Sequence, residues 1–336
     1  MKIAFLSTNM NFCGTILGEL RAHHDVRVYD HTSDGTLNMA NVMRLLDWCD
    51  VAYFDFIQYP LPFVTHLNVI DNPVIARMDG LDIMGHHKVD WNKVSALVLM
   101  EVQEPRLKRL RDQYEAATKS KLPPLPDRIL KRSVGIDLRL FWVRARAELT
   151  YKICFHANVI RDTKRVYTAI QCFNELIKRD DKLWEFTLIG QWEGGWAWPA
   201  RSEYVMCCRE LLEQLGFPSD RFRVMGNLPR EEWAKFIQTQ DVFWNLSFRE
   251  GFPNSLGEAC ASGAYPVINW WAGAELIYPE KYLCRSPSEI VERTIEWGTL
   301  NEEEKRVRRT EARRHIERYD AHETARMIRE LIEEFN

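Results

Sequence analysis

Glu250-Gly251-Phe252-Pro253-Asn254-Ser255-Leu256-Gly257-Glu258 follows the apolar run Asp241–Leu246 and opens a segment with helical spacing, Ser255–Ser262. A strand, a short turn bearing Gly and Pro, and a helix form the repeating unit of a parallel sheet. Ser255 and Glu258 have the spacing of a capping box with Ser255 as N-cap, and Gly263 stands where a glycine ends a helix. The start of such a helix offers unpaired N–H groups and the positive end of the helix dipole, so a phosphate suits it. Two carboxylates flanking an anion site do not themselves hold phosphate. They suit hydroxyls, for example one on a sugar at Glu250 and one on a ribose at Glu258. Singly, Glu258 needs no role beyond the capping box and Glu250 none beyond a surface carboxylate. Together, after a strand and around a helix start, they point to a ligand site.

The same unit recurs on either side. Apolar runs at Lys2–Ser7, Val26–Tyr29, Val51–Phe56, Pro73–Met78, Ala96–Met100 and Arg128–Ser133 alternate with helical patterns at Gly14–His23, Thr36–Trp48 and Glu104–Thr118. The pattern restarts near residue 151 with strands expected at Tyr151–His156, Trp184–Ile189, Arg221–Met225, Asp241–Leu246 and Tyr265–Ile268. Apolar strands with crossover helices imply parallel sheets covered on both faces. The expected fold class is α/β, with two Rossmann-like, doubly wound domains facing a central cleft. The boundaries are drawn at 1–145 and 146–318, with a terminal helix in 319–336 that packs back on the first domain. Ligands of open parallel sheets bind beyond the carboxyl ends of the strands, which is where chemistry is sought.

Composition narrows the classes. The 336 residues include 45 Lys+Arg and 48 Asp+Glu, a net charge of −3, and 46% are hydrophobic, as in an ordinary globular protein. Long uncharged stretches such as Phe56–Ile70 and Ala259–Ala274 are shorter than the roughly 18 apolar residues a membrane span needs. No secretory leader is read at the start, where Ser7-Thr8-Asn9 interrupts the apolar run. The eight cysteines include no C-x-x-C pair and mostly lie in apolar segments, which favours a reducing, cytoplasmic compartment. Residues 103–146 hold twelve Lys/Arg and five Asp/Glu, +7, so the rest of the chain carries −10. That stretch is a candidate contact for an anionic membrane, peripherally, or for a nucleic acid, and equally a solvated face with salt bridges. The twelve tryptophans suit large buried rings, and Trp192, Trp196, Trp198, Trp270 and Trp271 border the expected cleft. Oligomeric state is left open.

After the first strand comes Asn9-Met10-Asn11-Phe12-Cys13-Gly14 and then a helix. Gly14 lets backbone approach a ligand in this loop, or simply makes a tight turn. Gly14 and Gly18 do not complete a G-x-G-x-x-G fingerprint, which argues against a nicotinamide or flavin enzyme.

The segment EGFPNSLGEACASGAYPVI resembles the signature of glycosyltransferase family 4, retaining enzymes of the GT-B fold. In that family two glutamates are separated by seven residues, as Glu250 and Glu258 are here. VGIDLRLF at 134–141, VMGNLPREE at 224–232 and WWAGAELI at 270–277 are similar to further stretches of the family. The resemblance implies that Glu250 contacts the donor sugar and Glu258 the ribose. It implies that Gly251, Phe252, Pro253, Asn254 and Ser255 run along the diphosphate and that Gly226, Asn227 and Leu228 pack on the base. Lys164 matches the family lysine that neutralises the leaving phosphate. The family arginine is absent, Asn158 or Val159 standing in its place, and Arg161 is the substitute proposed for it. Asp79, in Arg77-Met78-Asp79-Gly80-Leu81-Asp82, replaces a histidine that lies near the reacting sugar in relatives. The implied catalytic set is Glu250, Lys164 and Asp79, with Gly14 in an acceptor-side loop.

The implied activity is retaining transfer of a sugar from a nucleotide-diphosphate sugar to an acceptor hydroxyl. The acceptor is left open among a glycan, a lipid-linked group and a nucleic acid. With no Asp-x-Asp triplet and no His/Cys cluster of ligand spacing, no cofactor and no essential metal are expected. Two alternatives stand beside it: a nucleotide-sugar epimerase of GT-B architecture, and a non-catalytic sugar-nucleotide-binding subunit.

Overall fold

The computed structural model describes residues 1–10, 13–30, 38–67, 70–132, 134–146, 148, 150–192 and 199–335. Asn11, Phe12, Thr36, Ser133, Trp196 and Trp198, named above, lie outside them. The chain divides into two compact units, Met1–Asp137 with Tyr319–Asn336, and Leu138–Arg318.

The first unit holds β1 (Lys2–Ser7), β2 (Asp25–Asp30), β3 (Val51–Asp55), β4 (Val74–Met78), β5 (Ala96–Leu99) and β6 (Arg128–Lys131). All pairings are parallel, in the order β2-β1-β3-β4-β5-β6. Every residue of β3, β4 and β5 is buried, so these strands read as unbroken apolar runs rather than alternating ones. Alternate residues still divide between the two faces. Ala4, Leu6 and Phe54 meet α2 (Met39–Trp48), α3 (Leu61–His66) and α4 (Gln103–Thr118) through Val42, Leu46, Leu61, Val64 and Leu107. Ile3, Phe5 and Tyr53 meet α1 (Gly14–His23) through Ile16 and Leu20.

The terminal helix Ala321–Glu333 lies on that second face. It buries Ala325, Ile328, Leu331 and Ile332 beside α1, the 3–4 spacing of a helix with one apolar stripe. The returning chain is gripped where it re-enters the unit. Ile136 N–H donates to Tyr319 O at 2.7 Å, and Ala321 N–H donates to Ile136 O at 2.9 Å. Gly135 has φ +78°, and a Cβ there would sit 2.5 Å from Ala321 Cα. Only glycine permits so close a crossing.

The second unit holds β7 (Lys152–Val159), β8 (Glu185–Gln191), β9 (Phe222–Met225), β10 (Val242–Asn245), β11 (Tyr265–Asn269) and β12 (Leu283–Cys284). They too are parallel, in the order β12-β11-β10-β7-β8-β9. Strand β12, two residues long, was not among the expected strands, being too short to leave a pattern. The helices are α5 (Val166–Arg179), α6 (Pro199–Leu215), α7 (Arg230–Ile237), α8 (Asn254–Ala261), α9 (Ala274–Ile277), α10 (Pro287–Thr299) and α11 (Glu302–Ile316), and Ala321–Glu333 of the first unit is α12. Trp184, Trp244, Trp271 and Trp297 are fully buried here, as is Trp91 in the first unit. Three of these five indole N–H groups are satisfied inside, Trp91 by the His86 carbonyl at 2.9 Å, and Trp184 by Asp180 and Trp244 by Thr294, each at 3.0 Å.

The boundary drawn at 145/146 is corrected to Asp137/Leu138. Leu138–Arg146 carries no regular element, so its sequence gave no sign of which sheet it serves. In the fold it is tied to the second unit. Arg313 donates to Leu138 O and Phe141 O, and Arg146 pairs with the buried Asp241 carboxylate. The basic stretch 103–146 is partly neutralised within the chain: Lys121, Arg128 and Lys131 pair with Glu115, Glu334 and Glu104. All eight cysteines are free. Among the described residues, no helix is long and apolar enough to cross a membrane.

Candidate functional site

In the second sheet the chain moves from β7 outward to β8 and β9, then returns to place β10 on the other side of β7. This reversal leaves the loops after β7 and β10 diverging, which opens a crevice at the carboxyl ends of the strands. The loop after β7 runs into a 3₁₀ turn, Asp162–Lys164, and Arg165 adopts φ +57° before α5 begins. The loop after β10 leads to α8. Lys164 Nζ donates to Glu250 Oε1 at 2.5 Å across this crevice, with both side chains largely shielded at 18% and 13% exposure.

The helix behind this pair begins two residues earlier than the capping box required. Pro253 is the N-cap of α8, no side chain caps it, and Ser255 lies within the first turn. The capping box is therefore absent. The Glu258 carboxylate turns to α7 instead, where Trp233 Nε1 donates to its Oε2 at 2.8 Å. Gly263 does end the helix, at φ +83°. Gly251, Phe252 and Pro253 are buried and Asn254 and Ser255 half-buried, so backbone rather than side chain dominates the approach to the helix start.

Neighbouring loops are tied to the same edge. Arg165 donates to Asn269 Oδ1 at 2.9 Å, and Asn269 Nδ2 donates to Ser247 O at 3.2 Å. Asn227 Nδ2 reaches Asn158 Oδ1 at 2.8 Å and its carbonyl at 2.9 Å. Gly226 and Asn227 line a cavity of about 570 Å³ together with Gly190, Trp192, Arg209 and Val224. Leu228 follows half-buried, outside that lining. Arg161 precedes the 3₁₀ turn, and its buried Nε has no hydrogen-bond partner. His156, within β7, packs at a tilt against Trp233 with ring centroids 5.0 Å apart. Burial, with the nearby Lys164 charge, pushes its pKa down to about 4.

Asp79 and Gly14 belong to the first unit. Asp79 Oδ2 accepts from Arg77 Nη1 at 3.3 Å, and Arg77 also forks onto the buried Asp55 carboxylate, with Nη2 to Oδ2 at 3.0 Å. Burial raises the Asp79 pKa against the pull of Arg77. Cys13 donates its thiol proton to Asp55 Oδ2 at 2.9 Å, and burial and that carboxylate hold the thiol protonated. Gly14 heads α1, and an added Cβ would meet nothing within 4 Å, so packing does not demand a glycine there. Among the described residues, no group of three His, Cys, Asp or Glu is arranged to hold a metal ion.

Sequence reasoning missed Trp233, His156, Asn158 and the Asp55–Arg77 pair. Asp55 had a signal, a charge closing an otherwise apolar strand. Trp233 had none, because it reads as one more apolar position of an amphipathic helix.

Residues 150–297 match the family described as Glycosyl transferases group 1. No curated protein matches the chain. Among solved structures, the Anabaena protein HepE in complex with UDP-glucose superposes with a TM-score of 0.74 at 14% identity, covering 99% of this chain and 100% of that one. A UDP-forming α,α-trehalose-phosphate synthase from Burkholderia xenovorans gives 0.73 at 10% identity, covering 99% of each. A sucrose-phosphate synthase from Thermosynechococcus elongatus gives 0.70 at 12%, covering 99% and 98%. The two parallel six-stranded sheets with their helices are the GT-B architecture.

Proposed function

We propose that this chain is a retaining glycosyltransferase of family 4, cytoplasmic and without an essential metal, that moves a sugar from a nucleotide-diphosphate sugar to an acceptor hydroxyl. The observation that carries the reading is the Lys164–Glu250 pair, 2.5 Å apart beside the uncapped start of α8. An ammonium and a helix N-terminus suit a diphosphate, and the carboxylate beside them suits a sugar hydroxyl. The group 1 match over 150–297 and the UDP-glucose held by the Anabaena relative support the same donor class.

In the reaction the bond from the anomeric carbon to the diphosphate oxygen breaks. A bond to the acceptor oxygen forms on the same face, and the acceptor proton passes to the departing phosphate. Lys164, Arg161 and the N–H groups of Asn254 and Ser255 meet the charge growing on that phosphate. Gly251, Phe252 and Pro253 deliver the backbone to it. Glu250 orients the sugar, Glu258 takes the ribose, and Gly226, Asn227 and Leu228 flank the base. Asp79 exchanges a hydrogen bond with a reacting hydroxyl, and Gly14 leaves its loop open on the acceptor side.

The test follows nucleoside diphosphate release from a panel of nucleotide sugars, beginning with UDP-glucose, with and without acceptors and chelator. Release that survives chelation, with a product of unchanged anomeric configuration by proton NMR, is expected. An inverted product overturns retention, and a free epimerised sugar replaces transfer by epimerisation. Donor binding with no turnover at high enzyme leaves a non-catalytic binding subunit.

A further inference from the structure

A second cavity lies wholly in the first unit, at the carboxyl ends of β3 and β4. Its volume is about 390 Å³, within the usual range for small-ligand pockets of about 300–1,000 Å³. One wall is the turn after β3, with Ile57, Gln58 and Tyr59, and the other is the 3₁₀ stretch Gly80–Lys88, with Asp82, Met84 and Lys88. The turn is held in an uncommon backbone state. Phe56 has φ +112°, a region costly to a residue with a Cβ, and it persists where surrounding contacts enforce it. One such contact is Ile57 N–H, which donates to Asp82 Oδ2 at 2.6 Å.

Asp82 is the anomaly of this wall. It is 4% exposed, and its second oxygen, Oδ1, has no hydrogen-bond partner. A buried acceptor left unpaired costs about 1–3 kcal/mol. At the mouth of the same cavity Tyr59 and Met84 are 52% and 50% exposed, large apolar surfaces on an otherwise polar rim.

We propose that this cavity is the subsite for a neutral saccharide, with one sugar hydroxyl on Asp82 and an apolar sugar face against Tyr59. The lining carries groups of both signs, the Asp82 carboxyl together with His87 and Lys88, which suits a neutral polar ligand. An ammonium would meet Lys88, and an ionised Asp82 would oppose a phosphate. A hydroxyl suits Asp82 in either protonation state, donating to the carboxylate or accepting from the acid. This matters because burial pushes the Asp82 pKa up to about 7. The assignment of this sugar as the acceptor rests on the glycosyl-transfer reading; its binding does not.

The experiment is saturation-transfer NMR on the full chain with glucose, galactose, mannose and N-acetylglucosamine at millimolar concentration, in parallel with the thermal shift given by UDP. At least one sugar is expected to bind, about tenfold more weakly in Asp82→Ala and in Tyr59→Ala, as for loss of one hydrogen-bonded or stacked group. The UDP shift is expected to persist in both variants. Exposed Tyr59 keeps the test sound if Asp82→Ala fails to fold. Binding by none of the four sugars overturns the proposal, as does binding indifferent to both variants. Binding only by a phosphorylated sugar, abolished by Lys88→Ala, overturns it in favour of an anionic ligand. Sugar binding without any UDP shift leaves the subsite standing and removes the donor reading instead.

Discussion

Lys164 Nζ and Glu250 Oε1 meet at 2.5 Å although 86 positions separate them in the chain. Each ends a loop after one of two adjacent strands, and the reversal of strand order at β7 brings the loops to one crevice. The two charges satisfy each other. In the proposed donor complex a diphosphate competes for the ammonium, and a sugar hydroxyl for the carboxylate. Lys164→Ala is therefore expected to lower kcat by about 10²–10³-fold, the usual worth of one donor aimed at developing charge. Steady-state rates of the two single variants and the double variant measure the coupling. The double variant should be far less impaired than the product of the singles.

Glu258 is held by the Trp233 indole at 2.8 Å, not by its own helix start. In the proposed donor complex, Glu258→Ala removes the acceptor for a ribose hydroxyl, and it leaves the indole N–H without this carboxylate. Donor KM should rise by about tenfold or more with a smaller change in kcat, as for loss of a contact made equally in ground and transition states. Glu258→Gln keeps a carbonyl for Trp233 and should lose less. Equal kcat losses in both variants would move Glu258 from binding to chemistry.

His156 gives stability a pH dependence of known sign. Its folded pKa is depressed to about 4 by burial and by Lys164, below the ordinary value of 6.5. The unfolded chain therefore binds a proton as pH falls below 6.5 while the native chain does not until about 4. This contribution is present in full above pH 6.5 and is lost toward pH 4, at up to about 1.4 kcal/mol per pH unit. Urea unfolding at several pH values should show this slope in the wild type and lack it in His156→Phe.

Gly135 sits at φ +78° with the backbone of Ala321 against its missing Cβ. Gly135→Ala should destabilise the first unit by about 1–3 kcal/mol from the left-handed conformation alone, and further from the collision. Hydrogen exchange should locate the loss in α12, whose return the crossing anchors. An exchange pattern unchanged in α12 would contradict that anchoring role.

Asp55 and Arg77 form a buried ion pair, each 1% exposed. Asp55→Ala strands the guanidinium and should cost about 3–5 kcal/mol in denaturant unfolding. Arg77 also carries Asp79, so the same variant should disturb turnover through a residue it does not replace.

The two sheets were legible because buried parallel strands are apolar on both faces and recur between amphipathic helices, as at Val51–Asp55 and Val74–Met78. The turn between β10 and α8 was legible as a candidate site because its glycine, proline and paired glutamates sit within nine consecutive residues. The capping box was misread because Ser255 and Glu258 have its spacing, while the competing partner, Trp233, lies 25 residues away. Spacing along the chain determined which residues share a strand end or a helix start. Tertiary structure alone decided which loop ends meet: Lys164 with Glu250, Asn158 with Asn227, Ile57 with Asp82. The physical reason is that strand order, not chain order, sets which loops are neighbours, and strand order is fixed by packing both faces of a sheet at once. The same holds for the boundary near residue 138. Leu138–Arg146 has no periodicity to declare its unit, and residues far along the chain, among them Arg309, Arg313 and Asp241, bind it to the second unit.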